Sequence, residues 1–402
     1  VLKRMYATKV INKDVLDMYI HSYPIISIND QNYDSYLSFY QREIVKELKQ
    51  LNLYTKKNLA IGFDVYTSID KSINDILYQT LRQFKPITNT QTAILILKPY
   101  TNKILAMAGS FNTEDEFNRA TMSIRPVGST IKPCIYYLAL DYGLTPLSKF
   151  KSEETTFHIK GFGDYSPKNS TNTYPNKEIT MIEALAVSDN IYSTKTLLFL
   201  GSQQLTRFLN LFGIKNTLAV PSSALGVSEM SLLQLASIYN TFASEGKYYQ
   251  PKLIQKVTNK QGKLLYQAKT KGEQILDKTT TLVLNQLLRA PFDKNAKGYA
   301  TPTLLNYQPK AIYGAKTGST FSDSFVVGFN PQFCIAIWVG KDNNEYLHET
   351  SLSKQMFLNL ANQLSTLQPT QWYQKGFFID EIKVNPLTGL KDKYGSTYWL
   401  KN

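Results

Sequence analysis

A serine three residues ahead of a lysine, at the head of an apolar segment, can supply a nucleophile and its base. The chain has that arrangement in Arg125-Pro126-Val127-Gly128-Ser129-Thr130-Ile131-Lys132-Pro133, followed by Cys134-Ile135-Tyr136-Tyr137-Leu138-Ala139-Leu140. Gly128 gives a tight entry, Pro133 is tolerated in a first turn, and Gly143 stands where a C-terminal cap belongs. The spacing therefore predicts a helix that begins with Ser129. Ser129 and Lys132 would share one face at the positive helix end. Proton abstraction requires a neutral lysine, so a dry pocket or a second cation must lower its pKa. Ser-x-x-Lys also starts at Ser68, Ser148, Ser244 and Ser351. Of the five, only the Ser129 pair has a glycine before it and an uncharged apolar helix behind it. The plain alternative is a serine that caps a helix.

Two further motifs carry compatible chemistry. Lys316-Thr317-Gly318-Ser319 is the single Lys-Ser/Thr-Gly of the chain and ends a strand-like run from Tyr313. Gly318 would let backbone approach a ligand, the amide of Ser319 could join that of Ser129 in an oxyanion hole, and Lys316 could bind a carboxylate and help to lower the pKa of Lys132. A hairpin strand with ordinary surface residues is the competing reading. Ser-x-Asn starts at Ser27, Ser72, Ser110, Ser170 and Ser188. Ser188 and Asn190 are favoured because an apolar helix, opened by a capping box at Thr180 and Glu183, delivers them toward the interior.

The elements that must position these residues fit a large folded protein. The 402 residues are 43 % hydrophobic and 12 % aromatic, ample for a substantial core in two or three parts. No apolar run is long enough to span a membrane, and Val1 is not a start methionine, so a soluble fragment or processed form is expected. Residues 1–58 read as a linker module with an amphipathic helix over 36–48. A main domain is expected over 59–368, beginning with a strand at 60–69, a helix at 70–84 and a hairpin of 92–97 with 103–108. Residues 150–176 hold too little apolar material for a packed element. Helices follow from Ser231 to Gly246 and from Asp277 to Arg289, then strands at 313–319, 324–330 and 333–340. Residues 369–402 read as a short β tail. Helices in the middle and strands at both ends predict an α+β fold, an antiparallel sheet covered by helices, whose last strands return to pair with the first.

Charge and cysteine content narrow the chemistry further. Of the net +14, residues 246–316 carry a local excess of ten, with thirteen Lys or Arg against Glu273, Asp277 and Asp293. Nucleic acid, an anionic membrane or an anionic polymer would be attracted, but no recognition helix or basic-aromatic platform accompanies the charge. Cys134 and Cys334 sit in apolar runs and read as core residues rather than a disulfide. His21, His158 and His348 lack ligand spacing, and no metal or other cofactor is expected.

The three motifs, in this order, resemble the penicillin-recognising serine transferases and hydrolases. In detail they resemble the transpeptidase domain of class A, bifunctional penicillin-binding proteins. The resemblance rests on Phe117-Asn118-Arg119-Ala120, on the Arg125 to Pro133 run, on Glu183-Ala184-Leu185-Ala186-Val187-Ser188-Asp189-Asn190, and on Lys316-Thr317-Gly318-Ser319-Thr320. Val220 to Gly226 and Leu235 to Gly246 also match, which gives joint coverage of about 59–345. Val1-Leu2-Lys3-Arg4-Met5 resembles the exit from a glycosyltransferase domain. That domain and its membrane anchor would then lie outside this chain.

The resemblance implies the penicillin-binding, serine β-lactamase-like fold and a D,D-transpeptidase of peptidoglycan on the extracytoplasmic face of the bacterial membrane. Ser129 would be acylated by the penultimate D-alanine of a stem peptide with Lys132 as base. Ser188 would relay protons to the leaving amine and Asn190 would hold a substrate amide, while Lys316, Thr317 and Ser319 would grip the terminal carboxylate, with Gly318 and Thr320 in the same binding strand. The amine of a second stem peptide would resolve the acyl-enzyme, and β-lactams would acylate Ser129 and stay. Partners would be stem peptides, β-lactams and the cell-wall synthesis machinery. Membrane association would come only through the absent anchor, and nucleic acid is not expected.

Two departures concern the groove. Gly298-Tyr299-Ala300 stands where the family has a stretch of small residues, and Asp323-Ser324-Phe325-Val326 where it has Asp-Ala-Trp-Phe. A carboxypeptidase or serine β-lactamase would share the acylation residues, although no water-positioning glutamate motif of the class A lactamase kind lies between Ser188 and Lys316. A non-catalytic β-lactam sensor or cell-wall binding module is the reading from a different class.

Overall fold

The computed structural model describes residues 2–19, 37–84, 89–112, 115–159, 161, 163–215, 217–369 and 371–402. By contacts the chain falls into two units, 1–37 and 38–402. The first holds the short helices Leu2–Ala7 and Lys13–Tyr19. The second contains every candidate site residue.

Five antiparallel strands build the central sheet, in the order Gly314–Ser319, Asp323–Phe329, Cys334–Gly340, Gln91–Leu97, Ile104–Ala108. The late strands do return to the early ones, with Ile337 opposite Ile94 and Cys334 opposite Leu97. Asp323–Phe329 and Cys334–Gly340 are buried along their whole length. Such runs are continuously apolar rather than alternating because both faces are covered. Cys334 and Phe329 face the helix Leu232–Ala243, through Cys334 Sγ to Ala236 O and the Phe329–Tyr239 ring contact. Gly328, one residue on and so on the opposite face, lies against Phe357 of the helix Leu352–Leu367.

The helix starts are legible in local chemistry. Ser231 and Gln234 form a reciprocal capping box, and Asp277 accepts from Thr280 N at the head of Lys278–Leu287. The expected box at Thr180 is only half made. Thr180 accepts from Glu183 N, but both carboxylate oxygens of Glu183 lie buried with no hydrogen-bond partner among the described residues.

Other expectations are corrected. The strand expected over 60–69 starts at Phe63, because Thr55 caps a helical turn, Lys56–Ile61, which Gly62 ends at φ +80°. That strand pairs not with the main sheet but with Ile254–Asn259, over a small core of Leu48, Ile254 and Val257. The helix Leu37–Gln50, grouped by sequence with a linker, thus supplies core to the larger unit. Within 150–176 the chain does form elements: Phe157–Ile159 and Gly163–Tyr165 pair with each other, while Lys149–Ser152 pairs with Lys177–Thr180 and sets Phe150 against Tyr192 and Phe199 of the helix Asn190–Leu200. The tail forms a hairpin, Ile379–Val384 with Ser396–Lys401, and its second strand contacts the helix Lys278–Leu287. Cys134 and Cys334 are both free and buried, with thiols pushed up by burial.

Candidate active site

The segment before the nucleophile is fixed by a short ladder, Arg125 opposite Met230 and Pro126 opposite Glu229. Ser129 then sits in a 3-10 turn, Gly128–Ile131, and the α-helix proper begins one residue later, Lys132–Asp141. The predicted helix start is therefore shifted. Ser129 lies in the tighter entry turn, with its carbonyl accepting from Lys132 N. Tyr239 OH donates to Thr130 O at 2.7 Å and pins the turn from behind. Gly128 is required twice over, by a φ of +56° and by position, since a Cβ there would come within 2.7 Å of Ser319 O.

The edge strand Gly314–Ser319 lies alongside this turn, and Gly318 permits the contact. A Cβ at Gly318 would meet Val127 O at 2.7 Å and Thr130 N at 2.9 Å. The backbone of Ser319 therefore stands beside Gly128 and Ser129, as an oxyanion hole built from the amides of Ser129 and Ser319 would need.

The third motif arrives through a feature that the sequence did not reveal. Helix Met181–Val187 ends at Ser188, which adopts the left-handed conformation, φ +63° and ψ +45°. A non-glycine residue held there is strained by on the order of 1–3 kcal/mol. The turn points Ser188 O and Asp189 O at Lys132. Lys132 is fully buried, and its Nζ donates to Ser188 O at 2.7 Å, Ser188 Oγ at 3.2 Å, Asp189 O at 3.1 Å and Asn190 Oδ1 at 2.7 Å. All four acceptors are uncharged. Burial drives the Lys132 pKa down to about 7, opposed by the attraction of Asp189.

Lys316 is equally buried, and its Nζ donates to Ser188 Oγ at 2.9 Å and to Thr317 O at 2.8 Å. Burial first, and Lys132 second, push its pKa well down. Two ammonium groups on one hydroxyl repel each other, so the pair favours losing a proton. Of the two causes that the sequence left open at Lys132, a dry pocket or a second cation, desolvation is the dominant one. Lys316 does not point freely into a carboxylate site. In this structure it serves the Ser188 hydroxyl. Thr317 is nearly buried, Ser319 is exposed, and Thr320 Oγ1 donates to Asp323 Oδ2 at 2.5 Å.

Ser129 Oγ itself is half-buried and makes no hydrogen bond among the described residues. Ser129, Lys132, Ser188, Asn190 and Lys316 are thus brought into one cluster by the three motifs. Thr317, Gly318, Ser319 and Thr320 form its strand wall.

Sequence reasoning missed the second layer. Asp189, buried between the two site residues Ser188 and Asn190, accepts from Tyr192 N at 2.6 Å on one oxygen. Its other oxygen accepts from Ser152 Oγ at 2.6 Å, Asn169 Nδ2 at 3.1 Å and Tyr299 OH at 2.6 Å. Asn169 Oδ1 in turn accepts from Asn190 N at 2.8 Å. Asp189 was visible only as the middle of Ser-x-Asn, and Tyr299 only as a departure from a small-residue stretch. A Cβ on Gly298 beside it would lie 2.0 Å from Glu183 Oε1, so a side chain there would displace that carboxylate.

Comparison with known proteins bears on the family and the fold. A family profile described as the penicillin binding protein transpeptidase domain matches residues 92–332. Penicillin-binding protein 2D of Bacillus subtilis (strain 168) is 32 % identical over 377 residues, covering 90 % of this chain and 55 % of that protein. Penicillin-binding protein 1A of Clostridium tetani (strain Massachusetts / E88) is 28 % identical over 357 residues, covering 79 % of this chain and 44 % of that one. The chain thus spans about half the length of the curated relatives it matches. Among solved structures, penicillin-binding protein 1A from Haemophilus influenzae superposes with a TM-score of 0.80 at 19 % identity, covering 100 % of this chain and 80 % of that one. The PonA1 protein from Mycobacterium tuberculosis in complex with penicillin V gives 0.71 at 19 % identity, with coverage of 88 % and 98 %. At that identity the two structures speak for the shared fold.

Proposed function

The chain belongs to the penicillin-binding protein transpeptidase family, and on that premise we propose that it cross-links peptidoglycan as a serine D,D-transpeptidase with Ser129 as nucleophile. The observation that carries the reading is Lys132, a buried lysine bonded only to neutral oxygens, with a pKa near 7, one helical turn from a half-buried serine. Such a lysine is neutral often enough to act as a base.

Ser129 Oγ attacks the carbonyl carbon of the penultimate D-alanine while its proton passes to Lys132. The amides of Ser129 and Ser319 stabilise the oxyanion. Collapse breaks the C–N bond, and terminal D-alanine leaves as an amine after taking a proton relayed through Ser188 Oγ, which bridges Lys132 and Lys316. The amine of a second stem peptide attacks the ester and gives up its proton by the same route, which restores Ser129. Asn190 orients the donor amide. Thr317 and Ser319, on the strand that Gly318 allows to approach, receive the donor carboxylate in the field of Lys316. Water in place of the amine would give carboxypeptidase activity. A β-lactam would acylate the same hydroxyl and be held. The active face is extracytoplasmic, where this polymer is built, and the longer protein would add glycosyltransferase activity and the membrane anchor.

Intact-protein mass spectrometry after incubation with benzylpenicillin, on wild type and Ser129→Ala in parallel, tests the assignment. A stable adduct on the wild type alone is expected. Rapid consumption of penicillin without an adduct would make the protein a hydrolase, and a folded sample with neither adduct nor turnover would sink the catalytic reading.

A further inference from the structure

A cleft of about 570 Å³ opens where the C-terminal hairpin meets the catalytic unit, away from every residue of the active site. Its walls come from Arg289 to Lys294, from Gln308 to Tyr313 and from Ser396 to Tyr398. These positions lie in and against the basic stretch 246–316, of whose charges the transpeptidase chemistry uses Lys316 alone.

Arg289 is the anomaly. It follows the helix Lys278–Leu287 and is mostly buried, yet its guanidinium has no hydrogen-bond acceptor and no ion-pair partner among the described residues. It lies over the face of Trp372, with 5.8 Å from Cζ to the ring centroid. Its N–H donors reach solvent but find no acceptor among the described residues, so their hydrogen-bonding capacity is open to a ligand. The nearby Asp293 carboxylate is engaged elsewhere, one oxygen accepting from Tyr398 OH at 2.8 Å and the other from Asn295 N at 2.9 Å, and acts on Arg289 only through its field. Glu381, the next carboxylate, accepts from Trp399 Nε1 at 3.1 Å. Lys294 and Lys310, both exposed on the same walls, add two more cations and bring no acceptor.

We propose that this cleft is a second binding site, for an oxyanion group of a phosphate- or carboxylate-bearing ligand, held by the guanidinium of Arg289 with Lys294 and Lys310 at its mouth. A planar guanidinium grips either group through two parallel N–H bonds, which an ammonium cannot reproduce. The ligand completes the hydrogen bonds that the protein leaves open.

The test is thermal unfolding of the full chain at constant ionic strength, titrated with inorganic phosphate, glycerol 3-phosphate or acetate against chloride. A ligand that binds only the folded state raises Tm with concentration toward logarithmic growth. Phosphate compounds, acetate or both should raise Tm in the wild type, and the pattern identifies a phosphoryl or a carboxylate source. Arg289→Lys should weaken the apparent affinity about tenfold, which is ~1.4 kcal/mol, and Arg289→Met should abolish the shift. Because the ligand-free guanidinium is unpaired, Arg289→Met should also keep or raise the Tm measured in chloride. A purely structural role against Trp372 would lower it. No saturable shift in the wild type, or an equal shift in Arg289→Met, overturns the proposal. Benzylpenicillin acylation should be unchanged in both variants, so the result is independent of the transpeptidase assignment.

Discussion

The rate of acylation by benzylpenicillin should rise with pH along a single titration centred near 7, the pKa to which burial drives Lys132. An ordinary lysine at about 10.4 would be neutral in only about 0.04 % of molecules at pH 7, whereas a pKa near 7 leaves about half neutral, so burial raises the supply of base roughly a thousandfold. The same shift has a stability sign. The unfolded lysine holds its proton up to about 10.4 and the folded one releases it near 7, so between those values the unfolded state binds more protons and stability rises with pH. The span corresponds to ~5 kcal/mol, absent below pH 7 and fully gained above about 10.4. Second-order acylation rates measured from pH 5 to 10 by mass spectrometry, with unfolding followed in parallel, test both halves. Lys132→Arg, which stays charged, should cost about 10²- to 10⁴-fold in rate at pH 8. A midpoint near 10, or a rate independent of pH, would refute the argument that a neutral buried lysine is the base.

Two further perturbations address the supports of the site. Asp189→Asn removes the charge that holds the Lys132 pKa up, so the acid limb of the acylation profile should move below 7. Tyr299→Phe keeps that charge and deletes one 2.6 Å bond to it, so it should leave the midpoint in place and cost ~1–3 kcal/mol of unfolding free energy. An unmoved midpoint in Asp189→Asn would argue against its electrostatic role. Gly318→Ala puts a methyl 2.7 Å from the carbonyl of Val127, and backbone cannot yield as a side chain would. The edge strand and the serine turn must part, with a loss of ~1–3 kcal/mol and at least tenfold in acylation. Wild-type acylation in a well-folded Gly318→Ala variant would show that the close approach is not needed.

How much of this was legible beforehand depends on the range of the interaction. Ser129, Lys132, Ser188, Asn190 and Lys316 could be named because each sits in a short motif whose local chemistry is distinctive, and the helix starts at Ser231 and Asp277 because a cap is a contact three residues long. The division at 37/38 and the core role of Leu48 could not be read, since an amphipathic helix shows that it has a partner without showing which one. The start of the first strand was misplaced by a helical turn for a related reason. Ala60 and Ile61 are apolar enough for either element, and Gly62 rather than propensity decided the boundary.

The sequence by itself determined which candidate groups the fold would bring together and that an antiparallel sheet would carry one of them, because residue types, spacing and strand periodicity are properties of the chain. Only the tertiary structure decided their protonation and direction. The pKa of Lys132 falls because residues fifty and more positions away exclude water and offer it neutral oxygens. Lys316 turns to Ser188 because a left-handed residue at the end of another helix places that hydroxyl within 2.9 Å of it. Desolvation and convergence are sums over distant neighbours, and no local stretch of sequence contains them.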